Sequence, residues 1–327
     1  MADHPLHSPV LAWYAVHARD LPWRDPDCTP WGVLVSEVML QQTPVARVLP
    51  AWQRWTARWP TPASLAAEPV GEAIRAWDRL GYPRRAVRLY EAAGVIVARH
   101  GGRVPDRLED LLALPGVGGY TAAAVASFAF GGRHAVVDTN VRRVLARAVT
   151  GAAQATPSPT AADRELAEHL VPDDAARAAT WAVASMELGA LVCTARSPRC
   201  ADCPVLGLCR WQADGAPAYA GPPRRGQAYA GTDRFVRGML LAALRAAHDE
   251  RAARGKRRAP DERAASGVPV MAEDSGTLTL TALLAAVPDD ALRDPTRDAF
   301  QRERCLDSLV ADGLVEPLAD NRFRLPG

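Results

Sequence analysis

Four cysteines within seventeen residues constrain this chain more than any other feature. They read Cys193-x6-Cys200-x2-Cys203-x5-Cys209, and Cys28 and Cys305 lie far from them. The opening residues Met1-Ala2-Asp3-His4-Pro5 lack the charged and apolar regions of a secretory signal. No apolar run approaches the ~20 residues a bilayer span needs. A cytoplasmic location is therefore expected, and there a cysteine cluster is read as metal ligation rather than as disulfides. Structural zinc usually takes two separated C-x2-C turns. Here one such pair is flanked by two wider arms, which better suits a larger cubane held by four thiolates. A zinc knuckle is the alternative reading, and Arg196 and Arg199 inside the loop could present positive charge to phosphates.

A length of 327 residues suggests about two domains. With 48% hydrophobic and 23% charged residues, the chain has the composition of a folded globular protein. The formal net charge of +2 is too small to announce a nucleic-acid binder. The make-up of that charge is more informative. Lys and Arg total 39, and Lys256 is the single lysine. A Schiff-base nucleophile would have to be Lys256 or the terminal amine.

Apolar positions recur at helical spacing in 33–41, 63–80, 86–99, 107–114, 119–130, 139–149, 161–170 and 174–192, between Pro- and Gly-containing turns. Strand-like alternation is nearly absent. The pattern predicts an all-α region over residues 1–213. Residues 214–232, of which twelve of nineteen are Gly, Pro or Ala, read as a linker. The remainder, 233–327, predicts a small α+β domain. It has a helix near 233–249, a charged insertion about 253–276 expected to be disordered, helices near 280–287 and 297–312, and a closing hairpin. Helix, helix, helix and β-wing is the outline of a winged helix.

Within the helical region, Leu114-Pro-Gly116-Val117-Gly118-Gly119-Tyr120 joins a short helix to a longer one. Glycines there let backbone amides face outward at a helix N-terminus, where an anion is favoured. Such a helix-hairpin-helix grips DNA phosphate without reading sequence; the bland reading is a helix–helix turn with no ligand. Glu37 stands alone as a carboxylate in the apolar stretch Val35-Ser-Glu-Val-Met-Leu-Gln-Gln-Thr43. Burial would raise its pKa and keep the proton that a general acid needs. Asp138 opens Asp138-Thr-Asn140-Val-Arg-Arg, where the bland reading is a helix N-cap. For Glu37 the bland reading is a surface charge or a buried ion pair.

Together with Leu21-Pro-Trp-Arg24, Leu80-Gly-Tyr82 and the cysteine spacing, these blocks resemble the helix-hairpin-helix DNA glycosylases, specifically the iron–sulfur MutY adenine DNA glycosylases, over about residues 10–212. The resemblance implies two helical lobes with duplex DNA across their cleft and the target base flipped out of the stack. It implies a 4Fe-4S cluster on Cys193, Cys200, Cys203 and Cys209. It assigns Glu37 as the acid protonating adenine N7 and Asp138 as the partner of the sugar cation. Tyr120 and Asn140 hydrogen-bond around that centre, and Trp23 and Arg24 line the adenine pocket. Leu40, Gln41, Gln42 and Tyr82 act in or beside the base stack, and Gly116, Val117 and Gly118 hold backbone phosphate. The implied partner is double-stranded DNA carrying adenine opposite 8-oxoguanine or guanine. A monomer is expected, working on the nucleoid of a bacterial cytoplasm with no membrane attachment.

Two departures stand out. Ten residues before Cys193, where relatives often carry a Glu or Gln that contacts adenine, this chain has Val183. Residues 233–327 do not resemble the Nudix-like domain that reads 8-oxoguanine in many members. Three rivals follow. A lyase resembling endonuclease III needs a lysine where Tyr120 stands. A mismatch-specific thymine or uracil glycosylase typically lacks the Gln41–Gln42 pair. A non-catalytic iron–sulfur DNA-binding module would not need Glu37 and Asp138.

Overall fold

The computed structural model describes residues 4–221, 229–257, 276–293, 298 and 300–327. In chain order the helices are α1 (His7–His17), α2 (Pro30–Leu40), α3 (Val45–Arg58), α4 (Pro62–Ala66), α5 (Val70–Trp77), α6 (Arg84–His100), α7 (Leu108–Leu112) and α8 (Gly119–Phe130). There follow α9 (Thr139–Leu145), α10 (Ala161–His169), α11 (Ala175–Leu191), α12 (Arg210–Ala213), α13 (Asp233–Arg257), α14 (Leu280–Ala285) and α15 (Gln301–Ala311). Strands β1 (Leu278–Thr279), β2 (Glu316–Leu318) and β3 (Arg322–Arg324) complete the fold. The chain forms two compact units, each discontinuous in sequence: Met1–Gln42 with Ala98–Pro223, and Thr43–Val97 with Arg224–Gly327.

In the first unit, α2 is the central helix. Thr29 caps it by accepting from the Gly32 amide at 3.2 Å, and Pro30 occupies the first helical position, where its missing N–H costs nothing. Every residue from Trp31 to Met39 is buried, so α2 shows no polar face at all. It packs on α8, whose alanines and Thr121 permit close approach. A second cluster joins Leu6, Val10 and Trp13 of the α1 region to Val141, Val144 and Leu145 of α9 and to Trp181 and Leu188 of α11. Gly189 fixes how near α9 and α11 come, since a Cβ there would sit 2.7 Å from the Asn140 Cβ.

The second unit has a tryptophan centre. Trp55 meets Trp59 and Trp77 edge-on, with ring centroids 4.7 and 5.6 Å away. The C-terminal elements run α13, β1, α14, α15, β2, β3, and their strands order β1-β3-β2 with antiparallel pairing and Pro317 opposite Phe323. That is the order of a winged helix, as the sequence predicts. Asp320 and Asn321 make its tight turn at positive φ, which short polar side chains tolerate. One core joins these elements to the earlier helices: Val236, Leu240 and Leu244 of α13, Leu306 and Leu309 of α15, and Leu325 pack with Ile74, Val70 and Val87. The Gly71 amide also donates to the Pro326 carbonyl at 2.9 Å.

The helical type agrees with the sequence, and four details differ from it. Helix α1 carries no clean apolar period, whereas α3 buries Val48, Ala51, Trp52 and Trp55 at helical spacing. Pro50 inside α3 removes one backbone donor, a residue type that ordinarily argues against a helix interior. The predicted 63–80 segment breaks into α4 and α5 at Pro69, because a proline disfavours the helical conformation of the residue before it. Helix α13 continues to Arg257, so residues 253–257 of the predicted insertion are helical. The rest of that insertion, and linker residues 222–228, lie outside the described residues. Among the described residues no helix is long and apolar enough to cross a membrane.

Candidate active site and cysteine loop

Glu37 projects from α2 into the interior of the first unit. It is buried, and Oε2 has no hydrogen-bond partner. Tyr120, in the first turn of α8, donates its hydroxyl to the carboxylate. Burial dominates the outcome and, aided by the charge of Asp138, pushes the Glu37 pKa up to about 7 against the opposing effects of Tyr120 and Arg24. Tyr120 is itself held far above the usual phenol range by burial and by both acids. It stays a neutral donor.

Asp138 is the N-cap of α9. Its Oδ1 accepts from the Val141 amide at 2.6 Å and its Oδ2 from Asn140 Nδ2 at 2.7 Å. Burial raises its pKa, while these bonds and the nearby Arg143 charge act the other way. Asn140 is oriented in turn by Arg143, which donates to Asn140 Oδ1 at 2.6 Å, to the Gly189 carbonyl at 2.7 Å and to the Cys193 carbonyl at 2.6 Å. The four residues expected at the reacting centre, Glu37, Tyr120, Asp138 and Asn140, thus meet within one unit. The first three sense one another's charge, and Asn140 hydrogen-bonds Asp138.

A further carboxylate, Glu187 on α11, belongs to this centre and was not singled out from the sequence. It is fully buried and receives Arg19 Nε and Nη2, each at 2.7 Å, and Arg24 Nη2 at 2.8 Å. Burial opposes its ionisation, but the two guanidiniums outweigh burial and bring the pKa down to about 2. Arg24, expected in an adenine pocket, therefore has a fixed role inside the protein. Trp23 beside it is buried. The only sequence signal for Glu187 is a lone acid in the apolar run Trp181–Leu191, the same signal that marked Glu37.

Leu40, Gln41 and Gln42 close α2. Gln41 donates to Thr121 Oγ1 at 3.2 Å, and Gln42 is exposed with φ of 54°. In the hairpin turn Gly116 takes φ of 77°, a conformation that suits glycine. Val117 is buried and its amide bonds the Leu114 carbonyl, so it anchors the turn instead of facing outward. A Cβ on Gly118 or Gly119 would meet nothing within 4 Å, so packing within the protein does not require glycine at either position. Tyr82 lies in the second unit, exposed, with φ of 48°.

The four loop cysteines lie near one another: the other three each raise the Cys203 thiol, and burial raises it most, to about 11. Among the described residues no three His, Cys, Asp or Glu side chains converge on a single-ion site. Arg147 steadies the loop through the Thr194 carbonyl at 2.8 Å and the Cys193 sulfur at 3.4 Å. Gln212 Nε2 donates to Cys200 Sγ at 3.1 Å. Cys28 and Cys305 lie elsewhere, their thiols donating to the Thr29 and Asp233 carbonyls.

Comparison with known proteins agrees with this geometry. Residues 35–172 match the model of the HhH-GPD superfamily base excision DNA repair proteins, and residues 193–209 match the iron–sulfur binding domain of endonuclease III. An adenine DNA glycosylase of Mycobacterium tuberculosis is 49% identical over 97% of this chain and 92% of its own length. The chain belongs to the adenine DNA glycosylase family. A family member from Mycolicibacterium smegmatis is likewise 49% identical, over 98% of this chain and 96% of its own. The human adenine DNA glycosylase is 46% identical over 62% of this chain and 38% of its own. Among solved structures, a thermostable thymine-DNA glycosylase aligns with a TM-score of 0.56 and 31% identity, covering 63% of this chain and 94% of that one. The cysteine loop thus carries the family's 4Fe-4S cluster.

Proposed function

We propose that this chain is a monofunctional glycosylase that hydrolyses the N-glycosidic bond of adenine mispaired with 8-oxoguanine or guanine in double-stranded DNA. One observation carries the chemistry. Glu37 is a buried acid whose pKa of about 7 leaves it largely protonated near neutrality, with Oε2 unpaired and Tyr120 fixing the other end of the group. In this reading Glu37 passes its proton to adenine N7. The C1′–N9 bond breaks with its electron pair leaving on the base, and the sugar becomes an oxocarbenium-like cation. Asp138 faces that cation, and Asn140 holds the carboxylate in place. Water then adds at C1′, and the proton it sheds restores the acid.

Tyr120 occupies the place where a lyase of this superfamily needs a lysine, so the product is an intact abasic site. Cys193, Cys200, Cys203 and Cys209 would hold the 4Fe-4S cluster, and Arg143 and Arg147 bond the Cys193 carbonyl and sulfur. Gly116 and Gly118 at the hairpin, with Leu40, Gln41, Gln42 and Tyr82, supply DNA contacts, and Trp23 borders the base. Residues 1–213 are read as the glycosylase region, 214–232 as the connection and 233–327 as a winged-helix-like region in place of a Nudix-like reader. The protein acts as a monomer in a bacterial cytoplasm.

The similarity to the mycobacterial adenine DNA glycosylases runs through the C-terminal region, whereas a thymine-DNA glycosylase of Aeropyrum pernix, 35% identical, matches 61% of this chain. The adenine reading is the better supported for that reason. Single-turnover excision tests it, on duplexes pairing adenine, thymine or uracil with guanine or 8-oxoguanine. Adenine should be released from both mispairs, and Glu37→Gln should abolish release while duplex binding persists. Release of thymine or uracil instead, or normal release by the Gln variant, would overturn the assignment.

A further inference from the structure

The second unit carries a surface cluster that the excision chemistry does not use. Tyr82 is 38% exposed and sits directly after Gly81, both residues at positive φ. A bulky non-glycine residue holds that conformation only when its surroundings impose it. Two arginines impose it. Arg85, from α6, donates to the carbonyls of Leu80 and Gly81 at 3.3 and 3.0 Å and so fixes the turn. Arg234, from the first turn of α13, donates to the Tyr82 hydroxyl at 3.0 Å, with its guanidinium carbon 4.4 Å from the ring centroid. The Tyr229 ring, 52% exposed, also lies near that guanidinium, its centroid 5.3 Å away.

Arg234 is exposed and, among the described residues, makes no ion pair. Its neighbour Asp233 is turned toward Arg304 and Gln301. The cluster therefore keeps the Arg234 charge beside aromatic faces; Arg79 is exposed nearby next to the exposed Asp78, and Arg84 pairs with Asp312 at 3.4 Å. Exposed aromatic rings interleaved with arginine are what a nucleic acid engages: bases stack on the rings while guanidiniums meet phosphates. A cation resting on a ring also costs the ring little exposure and leaves the guanidinium edge free for an anion.

We propose that Arg234 is a positioning residue for Tyr82 and at the same time a DNA-phosphate contact, so that α13 and Tyr82 together form a duplex-binding surface of the second unit. The proposal rests on duplex DNA being the ligand, as in the preceding section, and goes beyond it by giving the C-terminal region a named contact. Arg234 holds Tyr82 upright against the base stack and sets its own charge on the adjoining backbone.

The test uses the full-length holoenzyme and its Arg234→Ala, Arg234→Lys, Tyr82→Ala and double Arg234→Ala/Tyr82→Ala variants. Affinity for one 8-oxoguanine:adenine duplex is measured between about 50 and about 300 mM salt, a range over which phosphate contacts show. Arg234→Ala should weaken binding roughly tenfold and lower the salt slope by about one. Arg234→Lys should keep the slope yet lose most of the coupling to Tyr82, since an ammonium cannot stack and bridge as the planar fork does. The double variant should be hardly weaker than either single one. An unchanged salt slope in Arg234→Ala, or losses that simply add in the double variant, would overturn the assignment. Thermal melting of each variant separates these outcomes from unfolding. Wild-type adenine release is read in the same series. Its absence would sink the glycosylase reading, while slope and coupling would still decide Arg234.

Discussion

Glu37 and Glu187 start from the same sequence signal and finish with pKa values of about 7 and about 2. Partners decide the difference. Glu187 receives two guanidiniums, whereas Glu37 receives one phenol and keeps an unpaired oxygen. Neutral Glu37 has a proton to give, and ionised Glu187 is a brace for Arg19 and Arg24. A carboxyl whose pKa is raised on folding contributes stability fully present below about 4.5 and lost as pH rises through about 7. Glu37→Gln should therefore be more stable than wild type at pH 8, by up to about 3 kcal/mol, with the gain vanishing toward pH 4.5. Urea denaturation at several pH values checks this, and an equal difference at all pH values would contradict it. Catalysis runs the same way: single-turnover excision should decline above about pH 7, approaching tenfold per pH unit, as the acid ionises.

Elements carry the next set of constraints, because α9 begins at Asp138, a proposed catalytic residue. Asp138 caps that helix and also faces the reacting sugar in the proposed mechanism. The two roles separate by substitution. Asparagine caps nearly as well as aspartate but cannot offset a cation, whereas alanine does neither. Asp138→Asn should keep its melting temperature and lose excision, while Asp138→Ala should lose excision and about 1 kcal/mol of stability. Gly189 is a second constraint of this kind. Gly189→Ala should push α11 away from Asn140, lowering the excision rate more than duplex affinity. Unchanged single-turnover rates would show that the helices can spread without cost.

These elements also show what sequence could reveal. The hairpin, the α9 cap and the cysteine loop were legible because each is set by residues adjacent in the chain. The partners of Glu187 were not: Arg19 and Arg24 come from 168 and 163 residues away, and only tertiary packing brings them in. Helix α3 was hidden by Pro50, and its formation rests on burying Trp52 and Trp55 instead of on local propensity.

At the scale of the whole molecule, every residue proposed at the reacting centre belongs to the first unit, and the C-terminal elements complete the core of the second. Removing residues 233–327 would uncover Ile74, Val70 and Val87. Such a fragment should associate or lose cooperative unfolding while its cysteine loop still binds iron, which size-exclusion chromatography with iron analysis would show. A monomeric, cooperatively folding fragment would mean that α3 to α6 can close over these residues unaided.

The interleaving of the two units also sets a birth order. Translation delivers all segments of the first unit by Pro223, but the second must wait for the stretch ending near Leu325. At ~5–20 residues per second that delay lasts roughly 5–20 s. During it the catalytic half can already be folded, while Ile74 and its neighbours stay uncovered. A nascent chain of this protein therefore meets its greatest need for a chaperone after its chemistry has been assembled.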